Sequence, residues 1–357
     1  MNILHIAYIS NSPFEGVSII VPQYLRVQQR LGCNVCLINV KNLPVENIPD
    51  QIFVEGDFKL SDLKGRFPGP DLVVFHETYR KQYPRIARQL TKNGIPYVIV
   101  PHGSLTNKAQ HIKWLKKKAA NILLFGRYIN GAKAIQLLSR REYEETRFGK
   151  RKFVSTNGVQ MPGIRKETFS EEGVKFCFIG RLDAYVKGLD LIMESVAKIR
   201  KELLEKKVRF FIYGPDYKGR YDNVKKLIEE NNVGDIVSLN HELVGQDKLD
   251  VLLSSDVFIQ ASRTEGMPLG VLEALSYGIP SLVARGTNLG PEVEEFRAGW
   301  MAENTVDSLA ETILRCLGDR ERFAEYGKNA VSLVEERYSW DVIMKKTIEV
   351  YEEIVNG

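Results

Sequence analysis

The sequence predicts an α/β protein made of two doubly wound parallel-sheet domains, and three observations carry that prediction. Short apolar or β-branched runs alternate with helical patterns in both halves, as in parallel sheets covered by helices on both faces. At 357 residues the chain exceeds the size at which one hydrophobic core keeps growing, so two domains of ordinary size are expected. Between 151 and 173 the pattern loosens into Ser-Thr-Asn-Gly-Val-Gln-Met-Pro-Gly, turn residues without periodicity that mark a linker.

In the first half, residues 3–8, 35–40, 72–75, 97–100 and 134–138 read as buried strands with helices between them. In the second half the strands are 175–179, 209–213, 236–239, 257–260 and 281–283. The expected domains are 1–160 and 165–340. The amphipathic segment 340–355 follows a long helical stretch from 306 onward, and a helix over 341–357 is expected to return to the first domain.

Hydrophobic residues make up 44% and charged residues 27%, as in ordinary globular proteins, which excludes disordered and fibrous classes. Four cysteines at 33, 36, 177 and 316 are too few and too scattered for a disulfide framework, so a reducing compartment is expected. Cys33 and Cys36 form a C-x-x-C with no second ligand pair nearby, and read as buried structural thiols. The apolar opening is too short for a signal peptide, and no run reaches the roughly 20 residues of a membrane helix, so a cytoplasmic protein is expected. Charge is lopsided: residues 1–170 hold 26 Lys and Arg against 12 Asp and Glu, a balance of +14, within a net charge of +5. That basic half suits an anionic partner, and charge alone does not separate a phospholipid surface, a phosphate-bearing acceptor and nucleic acid.

Two stretches of the second half carry chemistry. Ala261-Ser-Arg-Thr-Glu265-Gly-Met-Pro-Leu-Gly-Val-Leu-Glu273 follows a strand and has Pro268 where a helix would begin. Ligands of open α/β sheets bind at the carboxyl ends of strands, which places Glu265 in the crevice and Glu273 in the following helix. Both can accept hydrogen bonds from vicinal hydroxyls, and the amides of Gly266, Met267 and Leu269 are expected to point outward beside them. Phe176-Cys-Phe-Ile-Gly180-Arg-Leu-Asp-Ala-Tyr-Val-Lys187-Gly-Leu-Asp is the first strand of that half running into a helix. A diphosphate needs positive charge and free N–H donors; Arg181 and Lys187 supply the charge, a helix amino terminus the donors, and Gly180 room for the backbone to approach.

Taken together, these stretches resemble glycosyltransferase family 4, retaining enzymes of the GT-B fold, whose two Rossmann-like domains face each other across a cleft. Tyr213-Gly-Pro, Leu239-Asn-His-Glu-Leu and Glu273-Ala-Leu-Ser-Tyr-Gly-Ile-Pro stand in the family's order, and the similarity covers about residues 174–300 strongly and the first half loosely. The resemblance implies that Arg181 and Lys187 offset charge on the donor diphosphate. It assigns Glu273 to the ribose, Glu265 to the transferred sugar, and Glu242 and Leu243 to the base through their backbone. His102, at the tip of Val98-Ile-Val-Pro-His102, is implied as a contact near the reacting carbon. After the first strand only Gly16 remains of the usual pair of phosphate-loop glycines.

No Asp-x-Asp is present, and Arg181 and Lys187 take the place of a divalent metal, so no metal and no other cofactor is expected. The implied activity is transfer of a sugar from a nucleotide-diphosphate donor, with UDP-sugars expected first. The acceptor is expected to be a saccharide or lipid-linked hydroxyl, attacked from the front face with retention, in cell-surface polysaccharide assembly and without a nucleic-acid partner. Segment 110–127 mixes Lys113, Lys116, Lys117 and Lys118 with Trp114 and a later apolar run, the pattern of a helix lying on the inner face of a membrane. Two alternatives share the fold: a noncatalytic partner subunit and a sugar-nucleotide epimerase. A pyridine-nucleotide dehydrogenase is disfavoured because Gly-x-Gly-x-x-Gly follows neither first strand.

Overall fold

The computed structural model describes residues 1–11, 16–46, 48, 50–54, 57–111, 114–216 and 219–357, and it divides into two compact units. The first holds Met1–Gly158 together with Trp340–Gly357; the second is Val159–Ser339.

Seven parallel strands form the first sheet: β1 Asn2–Ala7, β2 Asn34–Asn39, β3 Gln51–Ile52, β4 Leu72–His76, β5 Tyr97–Val100, β6 Ala134–Leu137 and β7 Lys152–Val154. Their order is β3-β2-β1-β4-β5-β6-β7. Six parallel strands form the second: β8 Val174–Ile179, β9 Val208–Tyr213, β10 Val237–Asn240, β11 Val257–Gln260, β12 Ser281–Ala284 and β13 Gly299–Ala302, in the order β10-β9-β8-β11-β12-β13. In both, the order reverses beside the first strand, at β1/β4 and at β8/β11, so each sheet has a crevice at the carboxyl ends of those strands.

Successive side chains point to opposite faces of a strand, and both faces are buried here. In β1, Leu4 and Ile6 enter one core while Ile3 and Ala7 enter another. In β8, Phe176 and Phe178 face one core and Cys177 the other. All four cysteines are buried free thiols, and burial pushes Cys36 up to about 11. Strands β3, β7 and β13 have no counterpart in the sequence reading, and β7 lies inside the stretch read as linker. Beyond the second unit the chain returns: helix Trp340–Asn356 places Tyr351 and Ile354 in the core with Ile3, Val21 and Leu25. The Tyr351 hydroxyl donates to Gln136 at 2.6 Å.

Candidate functional site

At the β8/β11 switch point the second unit brings two arms of the chain together. The first arm leaves β8 through Gly180, Arg181 and Leu182 to a short helix, Ala184–Lys187, whose Val186 amide is capped by the Asp183 carboxylate at 3.3 Å. Gly188 ends that helix in the left-handed region, φ +67, and a Cβ there would lie 2.0 Å from the Ala261 carbonyl oxygen. Glycine is therefore what lets Lys187 reach the second arm.

The second arm leaves β11 through Ala261 and Ser262. Arg263 clamps it to the first, donating to both oxygens of Asp190 at 2.7 and 2.8 Å and lying 4.3 Å from the Tyr185 ring centroid. The Glu265 amide donates to the Gly286 carbonyl at 3.0 Å, and Asn288 donates to the Glu265 carbonyl at 2.9 Å. So held, Glu265 pairs with Lys187, and the same carboxylate oxygen accepts from Ser262 at 3.1 Å and Gln260 at 3.2 Å. Each partner of the pair is only 13% exposed, so the interaction is weakly screened. Arg181 is exposed and has no hydrogen bond or ion pair among the described residues, which leaves a full positive charge at the same strand end.

The Gly180 amide donates to the Tyr213 carbonyl at 3.0 Å, and Gly214 packs against its other side, where a Cβ would lie 2.2 Å from the Gly180 carbonyl oxygen. The structure corrects one expectation about backbone groups here. The Leu269 amide is turned back onto the Met267 carbonyl at 3.0 Å, because Pro268 is the N-cap and helix Leu269–Ser276 begins one residue later than the sequence suggests. Gly266 and Met267 carry no such backbone bond among the described residues, and no side chain caps the helix.

Glu273 lies one turn into that helix and pairs with Lys248 at 2.6 Å, a cation that was not among the sequence candidates. Glu242 is exposed and Leu243 half-buried in the loop from β10, beside His241 stacked on Tyr221 at 4.8 Å. Loops from β8, β10 and β11 thus all leave the carboxyl end of one parallel sheet.

In the first unit, Gly16 opens helix Gly16–Arg30 with open space around its Cα, and residues 12–15 lie outside the described residues. His102 follows β5 with φ +48, and its Nε2 lies 3.2 Å from His76 Nδ1. His76 Nε2 in turn meets His5 Nδ1 at 2.9 Å, and His5 Nε2 meets Gln28 Oε1 at 2.7 Å. Burial lowers His5 and His102 to about 4 and His76 well below its usual value. His5 and His76 were not among the sequence candidates. Of the lysine cluster, Lys113 and the side chain of Lys116 lie outside the described residues. Lys117 folds back to donate to the Ala109 carbonyl at 2.6 Å, whereas Lys118 is exposed. Just beyond, Leu123 and Leu124 are 84% and 46% exposed. A groove of about 660 Å³ is lined by Asn107, Gln110, His111, Lys118, Asn121 and Arg147, and the Asn121 Oδ1 is buried without a partner among the described residues.

Residues 162–332 match the family Glycosyl transferases group 1, a stretch that takes in most of the second unit. The chain is similar to the MMP alpha-(1->4)-mannosyltransferase of Mycolicibacterium hassiacum, 28% identical over 50% of this chain and 42% of that one. A longer match, 24% identical over 75% of this chain, is to the poly(ribitol-phosphate) alpha-N-acetylglucosaminyltransferase of Staphylococcus aureus, of which it covers 53%. The chain therefore spans about half the length of the curated relatives it matches. Sucrose-phosphate synthase from Thermosynechococcus elongatus superposes with TM-score 0.69 at 17% identity, with full coverage of both chains. Anabaena HepE in complex with UDP superposes with TM-score 0.70 at 17% identity, over 99% of this chain and 100% of that one. At these identities the likeness concerns the fold, and the fold is GT-B: two Rossmann-like α/β units.

Proposed function

We propose that this chain is a retaining, metal-independent hexosyltransferase of glycosyltransferase family 4, moving a sugar from a UDP-sugar to a hydroxyl of a saccharide or lipid-linked acceptor. The observation that carries the reading is the cluster at the β8/β11 switch point: a nearly buried Lys187–Glu265 pair beside the unpaired, exposed Arg181. A cluster of that kind, with one positive charge in excess, can accept a diphosphate next to Lys187 and Arg181 while Glu265 accepts hydrogen bonds from sugar hydroxyls. Glu273, released from Lys248, takes the ribose hydroxyls, and the Glu242–Leu243 backbone takes the base. Gly180, Gly266, Met267 and Leu269 shape the floor of the site. His102 contacts the transferred sugar, and Gly16 the donor phosphates.

In the reaction the bond from the anomeric carbon to the phosphate oxygen breaks and a bond to the acceptor oxygen forms on the same face. The departing phosphate oxygen takes the acceptor proton, so no separate base is required. Arg181 and Lys187 stabilise the charge that builds on the leaving diphosphate, the task a divalent cation performs elsewhere. UDP in the HepE complex supports uridine as the first base to test. The basic first half and a relative named for a poly(ribitol-phosphate) acceptor both favour an acceptor carrying phosphate. Lys118 with Leu123 and Leu124 supports a peripheral contact at the inner face of the membrane in polysaccharide assembly. No helix among the described residues is long and apolar enough to cross a membrane.

The test is calorimetric binding of UDP, GDP and ADP without metal to the native chain and to Arg181→Ala and Glu273→Ala. Binding of one nucleotide, lost in both variants, is expected. If no nucleotide binds the native chain, the donor reading fails and a noncatalytic subunit takes its place. Release of free sugar without a glycoside would point to an epimerase.

A further inference from the structure

The first unit contains a feature that the proposed reaction does not use: two further histidine rings joined in series behind His102. The series runs His102 Nε2 to His76 Nδ1, His76 Nε2 to His5 Nδ1, and His5 Nε2 to Gln28 Oε1, at 3.2, 2.9 and 2.7 Å. His5, His76 and Gln28 have no solvent exposure. Each bond between rings needs one N–H and one bare nitrogen, and a neutral imidazole has one of each. The three rings must therefore all point the same way.

Gln28 sets which way. Its amide nitrogen donates to the Met344 sulfur at 3.4 Å, and a thioether accepts hydrogen bonds but has none to give. The amide oxygen consequently faces His5, so His5 carries its proton on Nε2. His5 Nδ1 is then bare and accepts from His76 Nε2–H. His76 Nδ1 is bare in turn and accepts from His102 Nε2–H. The chain ends on an amide, which cannot take up a proton at ordinary pH, so it does not conduct protons onward. It aligns dipoles, each ring polarising the next in a dry interior. The rings are fixed as well as aligned: the His5 and His76 planes lie within 17° of each other with centroids 5.2 Å apart, and Tyr24 stands edge-on to His76 at 5.5 Å. His102 itself is held with φ +48, which a non-glycine residue adopts only when its surroundings impose it.

We propose that Gln28, His5 and His76 are positioning residues that set the tautomer of His102, protonated on Nε2 and bare on Nδ1, so that its ring meets a hydroxyl of the transferred sugar as an acceptor. This rests on the reading of His102 as a donor-sugar contact. None of the three positioning residues touches substrate; their effect passes through one ring.

The experiment is ring-nitrogen NMR of the full chain labelled with ¹⁵N-histidine, assigned through single variants. In the native protein at neutral pH, His5, His76 and His102 are each expected to show a protonated Nε2 and a bare Nδ1. Gln28→Leu removes the terminal acceptor and should release His102 into a mixture of tautomers. His76→Leu should do the same, whereas His76→Gln can still accept from His102 and donate to His5, and should restore the native pattern. On turnover, Gln28→Leu and His76→Leu are expected to lower kcat by about 10–100-fold, the scale on which losing the orienting partner of a functional histidine is felt. His76→Gln should recover most of that loss, and UDP affinity should stay unchanged throughout. A native His102 protonated on Nδ1, or a His102 tautomer indifferent to Gln28→Leu, overturns the inference, and the first of these needs no variant to fold. If UDP fails to bind the native chain, it is the functional reading that falls, while the tautomers remain measurable.

Discussion

Gly188→Ala tests whether the two arms of the donor site are set by one backbone contact. An alanine Cβ would lie 2.0 Å from the Ala261 carbonyl oxygen and 2.7 Å from its carbon, where an ordinary carbon–oxygen contact is about 3.3 Å or more. The left-handed backbone at 188 adds a penalty of about 1 kcal/mol for any residue with a Cβ. Retreat is resisted from behind, because Asn304 donates to the Ala261 and Ser262 carbonyls at 3.3 and 3.0 Å. With a further 1–3 kcal/mol for overpacking, roughly 2–4 kcal/mol of stability should be lost. The two arms should also part, separating Lys187 from Glu265. Gly266→Ala is the control: it has open space around it and should shift stability by no more than about 0.5 kcal/mol. Urea unfolding and UDP calorimetry on both variants provide the assay. Equal stability of the two refutes the steric argument; a destabilised Gly188→Ala that still binds UDP with native affinity refutes the coupling of the arms.

Three further outcomes are expected. Glu265→Gln removes the charge that holds Lys187, so UDP affinity should stay level or rise while transfer falls, and Lys187→Met should weaken UDP about ten-fold or more; calorimetry and a transfer assay read both. His5 and His76 are neutral in the fold with depressed values, so between about pH 6.5 and 4 the unfolded chain binds protons that the folded chain refuses. Stability should then fall as pH drops through that window, by about 3 kcal/mol per unit for the two rings together, and urea midpoints should show a shallower fall in the His5→Gln, His76→Gln double variant. Turnover should persist in chelator without added cation, and its loss would remove Arg181 and Lys187 from the role of the metal.

The central strands of both sheets were legible because a parallel strand covered on both faces is a plain apolar run, as in 97–100 and 257–260, where reading and structure coincide. The strands that escaped lack that run. Strand β3 has two residues, β7 is an edge strand with Val154 exposed, and β13, Gly-Trp-Met-Ala, has no β-branched residue. Arg181 and Glu265 were legible as polar residues in loops after strands, and Lys187 as a cation in the helix that follows β8. Their pairing was not, since Lys187 and Glu265 are 78 residues apart and meet only because Gly188 has no side chain. His5 was hidden for the opposite reason: one polar residue in Ile-Leu-His-Ile-Ala leaves the strand signal intact, and nothing local says that His76 and Gln28 lie on either side of it.

The return of helix Trp340–Asn356 has a consequence for how the protein is made. Trp340, Met344, Tyr351 and Ile354 complete cores begun by Ile3, Val21, Tyr24 and Leu25, so the part of the chain translated first waits for a part translated late. At about 5–20 residues per second, synthesis of Val159–Ser339 between them takes on the order of 10–40 s. The second unit has all its strands on hand and can fold during that interval. The first cannot complete the cores around Val21, Tyr24 and Leu25 until that helix has been made.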